Sequence, residues 1–316
     1  METMHALRAH RRGGPEVLAY EAAPVPTPLE GEVLVEVRAA AITFTELTWE
    51  ETWSRNGHPR TPIIPSHEMS GTVRQLGRGV TAFSVGEEVI GLVPFDRDGA
   101  AAELVTLPAI NLAPKPAGVS WAQAAVIPLA ALTAWQAIVE QGGVGKGSRV
   151  LIQGAAGGVG LLALQLATVL GAIVTGTGSA GDAPLMKAHG AVQTLDYATQ
   201  PLSAAGGDFD IVLYAVPGNP PEASYAVLRP GGRLICLNAP PDDELAQKYA
   251  IDARFFIVTP NPQQMAAVAQ MVRDGRIAVN VAGIFPLADG RQAYESGSSR
   301  DRVSGKVVLA VKGADA

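Results

Sequence analysis

A glycine-rich turn near the middle of the chain contains the residues that most clearly predict chemistry. The segment begins at Arg149 with a short β-branched run, enters a cluster of glycines, and continues as a helical pattern and a second strand-like run. These parts form one βαβ unit, in which backbone N–H groups at the start of the helix can bind a pyrophosphate. A glycine-rich turn that binds nothing is the alternative. The residues predicted to contact a dinucleotide here are Gly154, Ala156, Gly157, Gly158 and Val159.

The end of the second strand favours NADPH over NADH. NAD sites usually carry Asp or Glu about 20 residues after the first glycines, where the carboxylate binds the ribose 2′-hydroxyl. Here the strand ends in TGTGS (175–179) without an acid, and the Ser179 hydroxyl can donate to a 2′-phosphate. The nearest acid, Asp182, comes two residues before Pro184. We interpret Asp182 as a helix N-cap rather than a ribose ligand.

Composition excludes several classes of function. The 316 residues carry a net charge of −6 with a pI near 5.4, and no basic cluster predicts binding to nucleic acid or to an anionic membrane. Cys236 is the single cysteine, which excludes an intramolecular disulfide and a cysteine zinc cluster. The most apolar stretch, 122–135, is shorter than a bilayer-spanning helix and contains Pro128. We expect a cytoplasmic protein that acts on a small molecule.

The chain predicts an α/β fold in three segments. Residues 1–117 contain short alternating runs separated by Gly and Pro, which predict a β-barrel domain. Residues 118–260 alternate strands with helices, which predicts a doubly wound parallel sheet, and residues 261–316 return to short strands. The predicted strands of the middle segment are 149–153, 173–177, 192–197, 210–216, 233–238 and 254–259. The first predicted helix starts after Ser120 and ends at Gly142, and the others are 158–170, 183–189, 220–228 and, after the last strand, 262–274.

Several motifs occur in an order that resembles the medium-chain dehydrogenase/reductase superfamily, in particular its zinc-independent quinone oxidoreductase and enoyl reductase branch. They include IPSHEMSGTV (64–73), LTAWQAI (132–138), GAAGGVGLLALQLA (154–167) and SGKVVL (304–309). The resemblance covers nearly the whole chain. It implies a Rossmann NADPH-binding domain inserted in a GroES-like β-barrel catalytic domain, and a homodimer formed through the edge strand at 254–259.

The resemblance also indicates whether this chain can bind a catalytic zinc ion. The two cysteine ligands of the metal-dependent alcohol dehydrogenases fall on Thr43 and Leu129, and His67 alone keeps its ligand type. A catalytic zinc needs three protein ligands, so we expect none here. Without a Lewis acid, conjugated acceptors are easier to reduce because they spread the developing negative charge. We therefore predict NADPH-dependent hydride transfer to a quinone or an α,β-unsaturated carbonyl compound, such as an aromatic or polyketide-type intermediate. The alternative is a non-catalytic NADPH-binding protein with a structural or regulatory role.

The resemblance implies that Thr43, Glu46 and His67 are the catalytic candidates. Thr43 replaces the Asn of quinone reductases. Phe44 replaces the proton-donating Tyr of some enoyl reductases, so water is the predicted proton source, relayed through Thr43 or His67. Glu46 replaces an Asp, and structural hydrogen bonding is the favoured role for Glu46 and for His67. The predicted substrate contacts are Phe44, Trp49, Trp53 and Leu129. Packing in the core is the alternative for the two tryptophans.

On the cofactor side, the resemblance places Thr133 near the nicotinamide and Tyr197 near the adenosine phosphate. The basic residue that relatives carry shortly after Ser179 is absent, and Lys187, Lys306 or Arg302 are the candidates to replace it. The remaining cofactor contacts that the resemblance implies are Val216, Asn238, Ala239, Phe256, Val258 and Lys306.

Overall fold

The computed structural model describes residues 2–298 and 303–313. The chain divides into two compact units. The first comprises Met1–Leu129, Pro260–Asp274 and Val279–Ala316, and the second comprises Ala130–Thr259 and Gly275–Ala278. The second unit is therefore inserted in the sequence of the first. The first segment of the first unit extends beyond the predicted boundary at residue 117, because the helix that follows Ser120 packs on the sheet of this unit.

The strands of the described residues are short, and most have alternating or fully apolar sequences. In chain order they are β1 Thr3–Ala9, β2 Leu18–Pro24, β3 Glu32–Ala41, β4 Ser54–Arg55, β5 His58–Pro59, β6 Glu68–Leu76, β7 Glu88–Leu92, β8 Leu104–Pro108, β9 Leu112–Pro114, β10 Arg149–Gln153, β11 Ile173–Gly178, β12 Gln193–Asp196, β13 Phe209–Tyr214, β14 Leu228–Cys236, β15 Asp252–Phe255, β16 Val281–Pro286 and β17 Lys306–Ala310.

Most of the helices are short as well. They are α1 Glu50–Trp53, α2 Trp121–Ala125, α3 Leu132–Trp135, α4 Gly158–Val169, α5 Ala183–Ala188, α6 Glu222–Ala226, α7 Asp243–Lys248, α8 Pro262–Arg273 and α9 Gly290–Glu295. Two π-helical turns, Ile127–Ala131 and Gln136–Gln141, flank α3. Single 3₁₀ turns include Glu46–Thr48 and Ala180–Asp182.

The first unit is built on a seven-stranded sheet that is mostly antiparallel. Its strand order is β16-β17-β3-β6-β7-β9, with β8 also paired to β3, and β1 and β2 form a separate hairpin. Strand β3 lies at the centre, and Val33, Val35 and Val37 on this strand have no exposed surface. The neighbouring end of the strand is all alanine, Ala39–Ala41, and is equally buried.

The second unit contains a six-stranded parallel sheet in the order β12-β11-β10-β13-β14-β15. Numbered within the unit, this order is 3-2-1-4-5-6, which is that of a Rossmann fold. Val150, Leu151 and Ile152 of the central strand are fully buried, as expected for a parallel strand covered on both faces. The α/β fold class predicted from the sequence, a Rossmann sheet inserted in a GroES-like domain, is confirmed.

The predicted strand at 254–259 is wrong in its second half, because β15 ends at Phe255. The backbone of Thr259 is bound instead by the Gln136 side chain. The Gln136 amide nitrogen donates to the Thr259 carbonyl at 2.8 Å, and the Thr259 N–H donates to the Gln136 side-chain oxygen at 3.1 Å. Hydrogen bonds to a side chain thus replace those of a strand ladder at this position.

The helix predicted from after Ser120 to Gly142 is confirmed, and it extends beyond the apolar stretch 122–135 at both ends. Helical turns run without interruption from Trp121 to Gln141, and Pro128 is accommodated in a π-helical turn. By length and composition this is the one helix in the described part of the chain that could cross a membrane. However, 78% of its apolar window is buried inside the protein, as in a core helix, so its length is weak evidence of a membrane span.

The close backbone packing at the glycine turn after β10 predicts that a side chain at Gly160 lowers the stability of the protein. A Cβ atom at Gly160 would lie 2.1 Å from the carbonyl oxygen of Gly154, and this backbone contact cannot be relieved by a rotamer change. Gly160→Ala should lower the free energy of unfolding by about 1–3 kcal/mol. Gly145→Ala, where the added Cβ meets nothing within 4 Å, should change it by less than about 0.5 kcal/mol. Urea denaturation would measure both, and equal effects would contradict the close approach at Gly160.

Candidate functional site

The turn between β10 and α4 has the backbone geometry of an anion site. Gly154 adopts a left-handed conformation with φ of 79°, and Gly157 is the N-cap residue of α4 with no side chain to cap the helix. The Leu161 N–H donates to the Gly157 carbonyl, so the N–H groups before Leu161 have no partner within the helix. These N–H groups and the positive end of a twelve-residue helix fit a pyrophosphate.

Residues from four other strand ends lie at the same edge of the parallel sheet. A Cβ at Gly154 would lie 3.3 Å from the Val216 side chain, and the Asn238 amide donates to the Val216 carbonyl at 3.1 Å. The Tyr197 N–H donates to the Gly178 carbonyl at 3.2 Å, and its side chain is exposed. The structure therefore brings these residues to the carboxyl edge near the switch between β10 and β13, where open α/β sheets bind ligands.

The other predicted cofactor residues of this unit are placed less specifically. Ala239 follows Asn238, Phe256 and Val258 follow the end of β15, and Thr133 is half-buried in α3. Their roles toward a cofactor stay predictions.

Asp182 is the N-cap residue of α5, as interpreted from the sequence, but its side-chain hydrogen bonds differ from those of a usual N-cap. Its carboxylate does not cap that helix; it accepts from the Ser179 N–H at 2.9 Å and from the Ser179 hydroxyl at 2.7 Å. The two residues form a capping box around the 3₁₀ turn Ala180–Asp182. The Ser179 hydroxyl hydrogen, which was predicted to bind a 2′-phosphate, is therefore directed to a carboxylate next to the strand end.

The candidates to replace the missing basic residue belong to different units of the fold. Lys187 is exposed on α5 in the second unit. Lys306 belongs to the first unit, where it is buried and ion-paired. Arg302 lies outside the described residues.

A buried carboxylate organises the candidate catalytic residues of the first unit. Glu46 has no exposed surface and accepts three hydrogen bonds, from the Tyr294 hydroxyl at 2.5 Å, the Ser66 N–H at 2.9 Å and the Thr43 N–H at 3.1 Å. The His67 Nε2 atom is 4.0 Å from the carboxylate, beyond hydrogen-bond distance. Glu46 therefore links the segment after β3 to the start of β6 and to α9, which supports the structural role predicted for it.

Burial sets the protonation of this cluster. It raises the pKa of Glu46 to about 7, although the Tyr294 hydroxyl and the two N–H groups act in the opposite direction. Burial and the neighbouring Glu46 raise the pKa of Tyr294 well above its ordinary value, so Tyr294 stays a hydrogen-bond donor. Burial lowers the pKa of His67 to about 3, which makes its imidazole neutral at physiological pH.

A second buried carboxylate holds a lysine against Thr43. The Lys306 ammonium lies 2.6 Å from Glu68 Oε1 and donates to the Thr43 hydroxyl oxygen at 3.0 Å. The other oxygen of Glu68 accepts the Leu129 N–H at 3.1 Å. Leu129, predicted as a substrate contact, thus reaches this cluster through its backbone, and its side chain is buried.

His67 is packed between aromatic rings. Its ring centre is 6.3 Å from that of Trp49 and 5.2 Å from that of Phe95, and the Trp49 and Phe95 rings meet edge to face at 5.5 Å. The backbone of Val93 and Pro94 approaches the imidazole without hydrogen-bond geometry. Neither ring nitrogen has a hydrogen-bond partner among residues 2–298 and 303–313, so the hydrogen-bonded role predicted for His67 is wrong there.

Trp53 is a core residue, whereas the role of the half-buried Phe44 toward a substrate stays a prediction. Trp53 is 2% exposed and its indole N–H donates to the Leu47 carbonyl at 2.8 Å, which makes it a core residue and not a substrate wall. Phe44 packs against the core of the first unit, with its ring so close to Gly297 that an added Cβ there would lie 2.4 Å away. Trp49, by contrast, is half-buried beside His67.

The residues at the expected metal position do not fit zinc. Thr43 and Leu129 provide no thiolate, and the thiol of Cys236 is buried in β14, where burial raises its pKa to about 12. No three His, Cys, Asp or Glu side chains are arranged to hold a metal ion anywhere in the described part of the chain. A catalytic zinc needs three such ligands.

Sequence reasoning missed Glu68, Tyr294 and Phe95, and it assigned Lys306 to the cofactor. Glu68 was next to His67 in a quoted motif, and a charged residue inside an apolar strand is a signal that could have been followed. Tyr294 and Lys306 are 248 and 263 residues away from their partners Glu46 and Thr43, and no local pattern predicts such contacts.

The raised pKa of Glu46 predicts a pH-dependent stability. Folded Glu46 holds its proton up to about pH 7, whereas the pKa of the free side chain is 4.5. The stability that this proton contributes is complete below pH 4.5 and is lost as pH rises through 7. Between these pH values, the free energy of unfolding should fall by up to about 3 kcal/mol relative to Glu46→Gln. Chemical denaturation at several pH values measures this difference.

Tyr294→Phe is the matched variant for this experiment. It removes the hydrogen bond that stabilises the Glu46 carboxylate, so the loss of stability should continue to higher pH than in the unchanged protein. Parallel curves for the unchanged protein and Glu46→Gln would show that folding does not raise the pKa of Glu46.

Comparison with known proteins identifies the family. A family model described as the alcohol dehydrogenase GroES-like domain matches residues 29–117, and one described as zinc-binding dehydrogenase matches residues 189–309. A probable mitochondrial zinc-binding oxidoreductase of Arthroderma benhamiae is 31% identical to this chain, with 93% of each chain covered.

Solved structures agree with this result. The quinone oxidoreductase from Coxiella burnetii superposes with a TM-score of 0.90 at 27% identity, over 98% of this chain and 100% of that one. A mycobacterial protein complexed with NADPH gives a TM-score of 0.86 at 31% identity, over 97% and 99% of the two chains. The chain belongs to the medium-chain dehydrogenase/reductase superfamily and is an oxidoreductase that fits a nicotinamide cofactor.

Proposed function

We propose that this oxidoreductase uses NADPH to reduce quinones or α,β-unsaturated carbonyl compounds, and that it does so without zinc. The observation that carries the proposal is the polar cluster of the first unit. At the position where a zinc enzyme needs thiolates, this chain has the Thr43 hydroxyl, the Lys306 ammonium and the neutral His67. The names of the relatives, several of them quinone oxidoreductases, support the same class of acceptor.

The chemistry of the cluster favours a conjugated acceptor. A bound nicotinamide supplies a hydride, and the protein must then stabilise the negative charge that develops on the acceptor. A quinone or an enone spreads this charge over several atoms, so hydrogen bonds from uncharged donors provide enough stabilisation. An isolated ketone concentrates the charge on one oxygen and needs a Lewis acid.

The aromatic surface at Trp49 supports a flat acceptor. The indole is half-buried, and it lies with Phe95 against the His67 imidazole. A buried imidazole without a hydrogen-bond partner in the described residues is costly unless a ligand or water completes it. We propose that a planar carbonyl compound stacks on Trp49 and that the His67 ring provides a polar contact.

We expect the protein to bind NADPH only slightly more tightly than NADH. No acidic residue lies in Thr175–Ser179, which favours a 2′-phosphate. However, the Asp182 carboxylate is bound to Ser179 and places a negative charge beside the same strand end. We propose that Asp182 weakens the binding of NADPH without making the site specific for NADH.

A homodimer and a cytoplasmic location stay predictions. Strand β15 is an edge of the parallel sheet, and Phe255 and Ile257 at its carboxyl end are 39% and 52% exposed. A sheet edge with exposed apolar residues at its carboxyl end is usually covered, which supports pairing with a second copy of the chain.

Replacing Asp182 tests the cofactor assignment. Asp182→Asn keeps an oxygen acceptor for Ser179 and removes the charge, so it should tighten NADPH binding about tenfold with a smaller effect on NADH. Asp210→Asn is the control, because Asp210 lies near the amino end of β13, at the opposite edge of the sheet. Isothermal titration of each protein with both cofactors measures these affinities. Tighter binding of NADH than of NADPH by the unchanged protein would contradict our cofactor assignment.

The reaction is tested by NADPH oxidation with a panel of quinones and enones after dialysis against a chelator. We expect turnover to survive, with less than stoichiometric zinc by metal analysis. Trp49→Ala should raise KM for a polycyclic quinone about tenfold and leave KM for a small enone nearly unchanged. Trp121→Ala removes an indole from α2 of the same unit and should affect neither acceptor.

The possible failures are distinct. Activity lost on chelation would disprove zinc independence. Equal effects of Trp49→Ala on the KM of both acceptors would show that this side chain packs within the protein and does not contact the substrate. NADPH binding without turnover of any acceptor would favour the alternative, a non-catalytic NADPH-binding protein.

A further inference from the structure

We propose that Lys306 activates the Thr43 hydroxyl as the hydrogen-bond donor to the carbonyl oxygen of the acceptor. The inference rests on the proposed function, because it requires a carbonyl acceptor. The residues present do not fit a metal ion. In this proposal the Lys306 ammonium, acting through the Thr43 hydroxyl, stabilises the negative charge on the acceptor oxygen instead.

The sheet of the first unit brings the three residues of this arrangement together. Strand β3 lies between β6 and β17, and its last residue, Ala41, is paired with Glu68 on one side and with Val308 on the other. Thr43 follows two residues beyond this strand end, while Glu68 and Lys306 are the first residues of β6 and β17. Antiparallel pairing therefore places the carboxylate and the ammonium on either side of the chain that carries Thr43.

Hydrogen-bond direction determines what Thr43 can do. A lysine ammonium has three donors and no acceptor, so its 3.0 Å contact with Thr43 must use a lone pair of the hydroxyl oxygen. The hydroxyl hydrogen cannot point at Lys306 and is directed elsewhere. Thr43 is half-buried, whereas Lys306 and Glu68 are buried, so the hydroxyl is the more accessible group of the three.

Glu68 fixes the ammonium. It has no exposed surface, and its two oxygens contact the Lys306 Nζ atom at 2.6 Å and the Leu129 N–H at 3.1 Å. A carboxylate held on both oxygens keeps the lysine in one position. The positive charge is therefore preorganised behind the Thr43 oxygen before any acceptor binds, which is the arrangement that stabilises a developing oxyanion.

The reaction step balances without a further reagent. In an enone, a hydride supplied by the reduced nicotinamide forms a C–H bond at the β-carbon. The electrons of the C=C bond move to the carbonyl oxygen, and the resulting enolate is later protonated at its α-carbon by water. Thr43 donates a hydrogen bond to the negative oxygen and keeps its proton. Lys306 also keeps its proton and acts as a positioning residue.

The first arm of the test measures binding without catalysis. The anion of 4-nitrophenol carries its charge on a carbonyl-like oxygen and is followed by its absorbance when it binds to the cofactor-free full-length protein. Thr43→Val should weaken its binding about tenfold, and Thr43→Ser should restore it. Lys306→Met alone would leave Glu68 buried without a counter-charge. The double variant Lys306→Met/Glu68→Gln is therefore used, and it should also weaken binding about tenfold.

The second arm measures turnover in a double-mutant cycle. Thr43→Val should lower kcat about 100-fold, as for the loss of one oxyanion donor, with Thr43→Ser close to the unchanged protein. Lys306→Met/Glu68→Gln should lower kcat at least tenfold. If Lys306 acts through Thr43, adding the lysine change to Thr43→Val should lower kcat no further.

The outcomes separate this inference from the proposed function. Additive losses in the cycle, or 4-nitrophenolate binding that is equal in all variants, would overturn the role of Lys306. An unchanged protein that reduces no carbonyl acceptor would disprove the proposed function, while the phenolate arm would still report whether Lys306 supports Thr43 as a donor. Circular dichroism of each variant establishes that the compared proteins are folded.

Discussion

The burial of two carboxylates constrains the whole first unit. Glu46 and Glu68 have no exposed surface, and a buried carboxylate without a partner costs several kcal/mol. Their partners come from distant parts of the sequence, with Tyr294 on α9, Lys306 at the start of β17 and the backbone of Leu129 before the insertion. The ends of β3, β6 and β17 are therefore held in one arrangement by charge as well as by packing. The candidate catalytic residues are located where these strand ends meet.

Most of the second unit could be predicted because its signals are local, although helix α7 at Asp243–Lys248 was missed. Parallel strands buried on both faces read as apolar runs such as Val150–Ile152, and glycines mark the turns between strands and helices. The order of these signals along the chain determines the Rossmann topology once right-handed crossovers are assumed. The error at 254–259 has the same cause. The apolar residues after Phe255 look like a strand, but the side chain that binds Thr259 belongs to Gln136, 123 residues earlier.

The candidate site was predictable only in part because its contacts are long-range. Thr43, Glu46 and His67 were found through motifs, and the structure places them in one cluster. Whether an indole forms a wall or a core depends on its neighbours, so the sequence could not distinguish Trp49 from Trp53. The same limit applies to Asp182. The side chain of a residue at a helix start can accept hydrogen bonds from the helix that follows it or from the residues that precede it, and the hydrogen bonds from Ser179 are visible only in the structure.

In our proposal, an ammonium takes the place of a metal, and this restricts the acceptors that the protein can reduce. A zinc ion contacts a carbonyl oxygen directly with two positive charges. Lys306 has one charge, which Glu68 largely balances, and in our proposal it acts through the Thr43 hydroxyl. This weaker stabilisation suffices where the acceptor distributes the negative charge itself, as quinones and enones do, and it is too small for a simple ketone. In our proposal, the residues of the cluster and the class of acceptor therefore constrain each other, and the presence of Thr43 and Leu129 in place of two thiolates goes with a change of substrate chemistry as well as a loss of metal ligands.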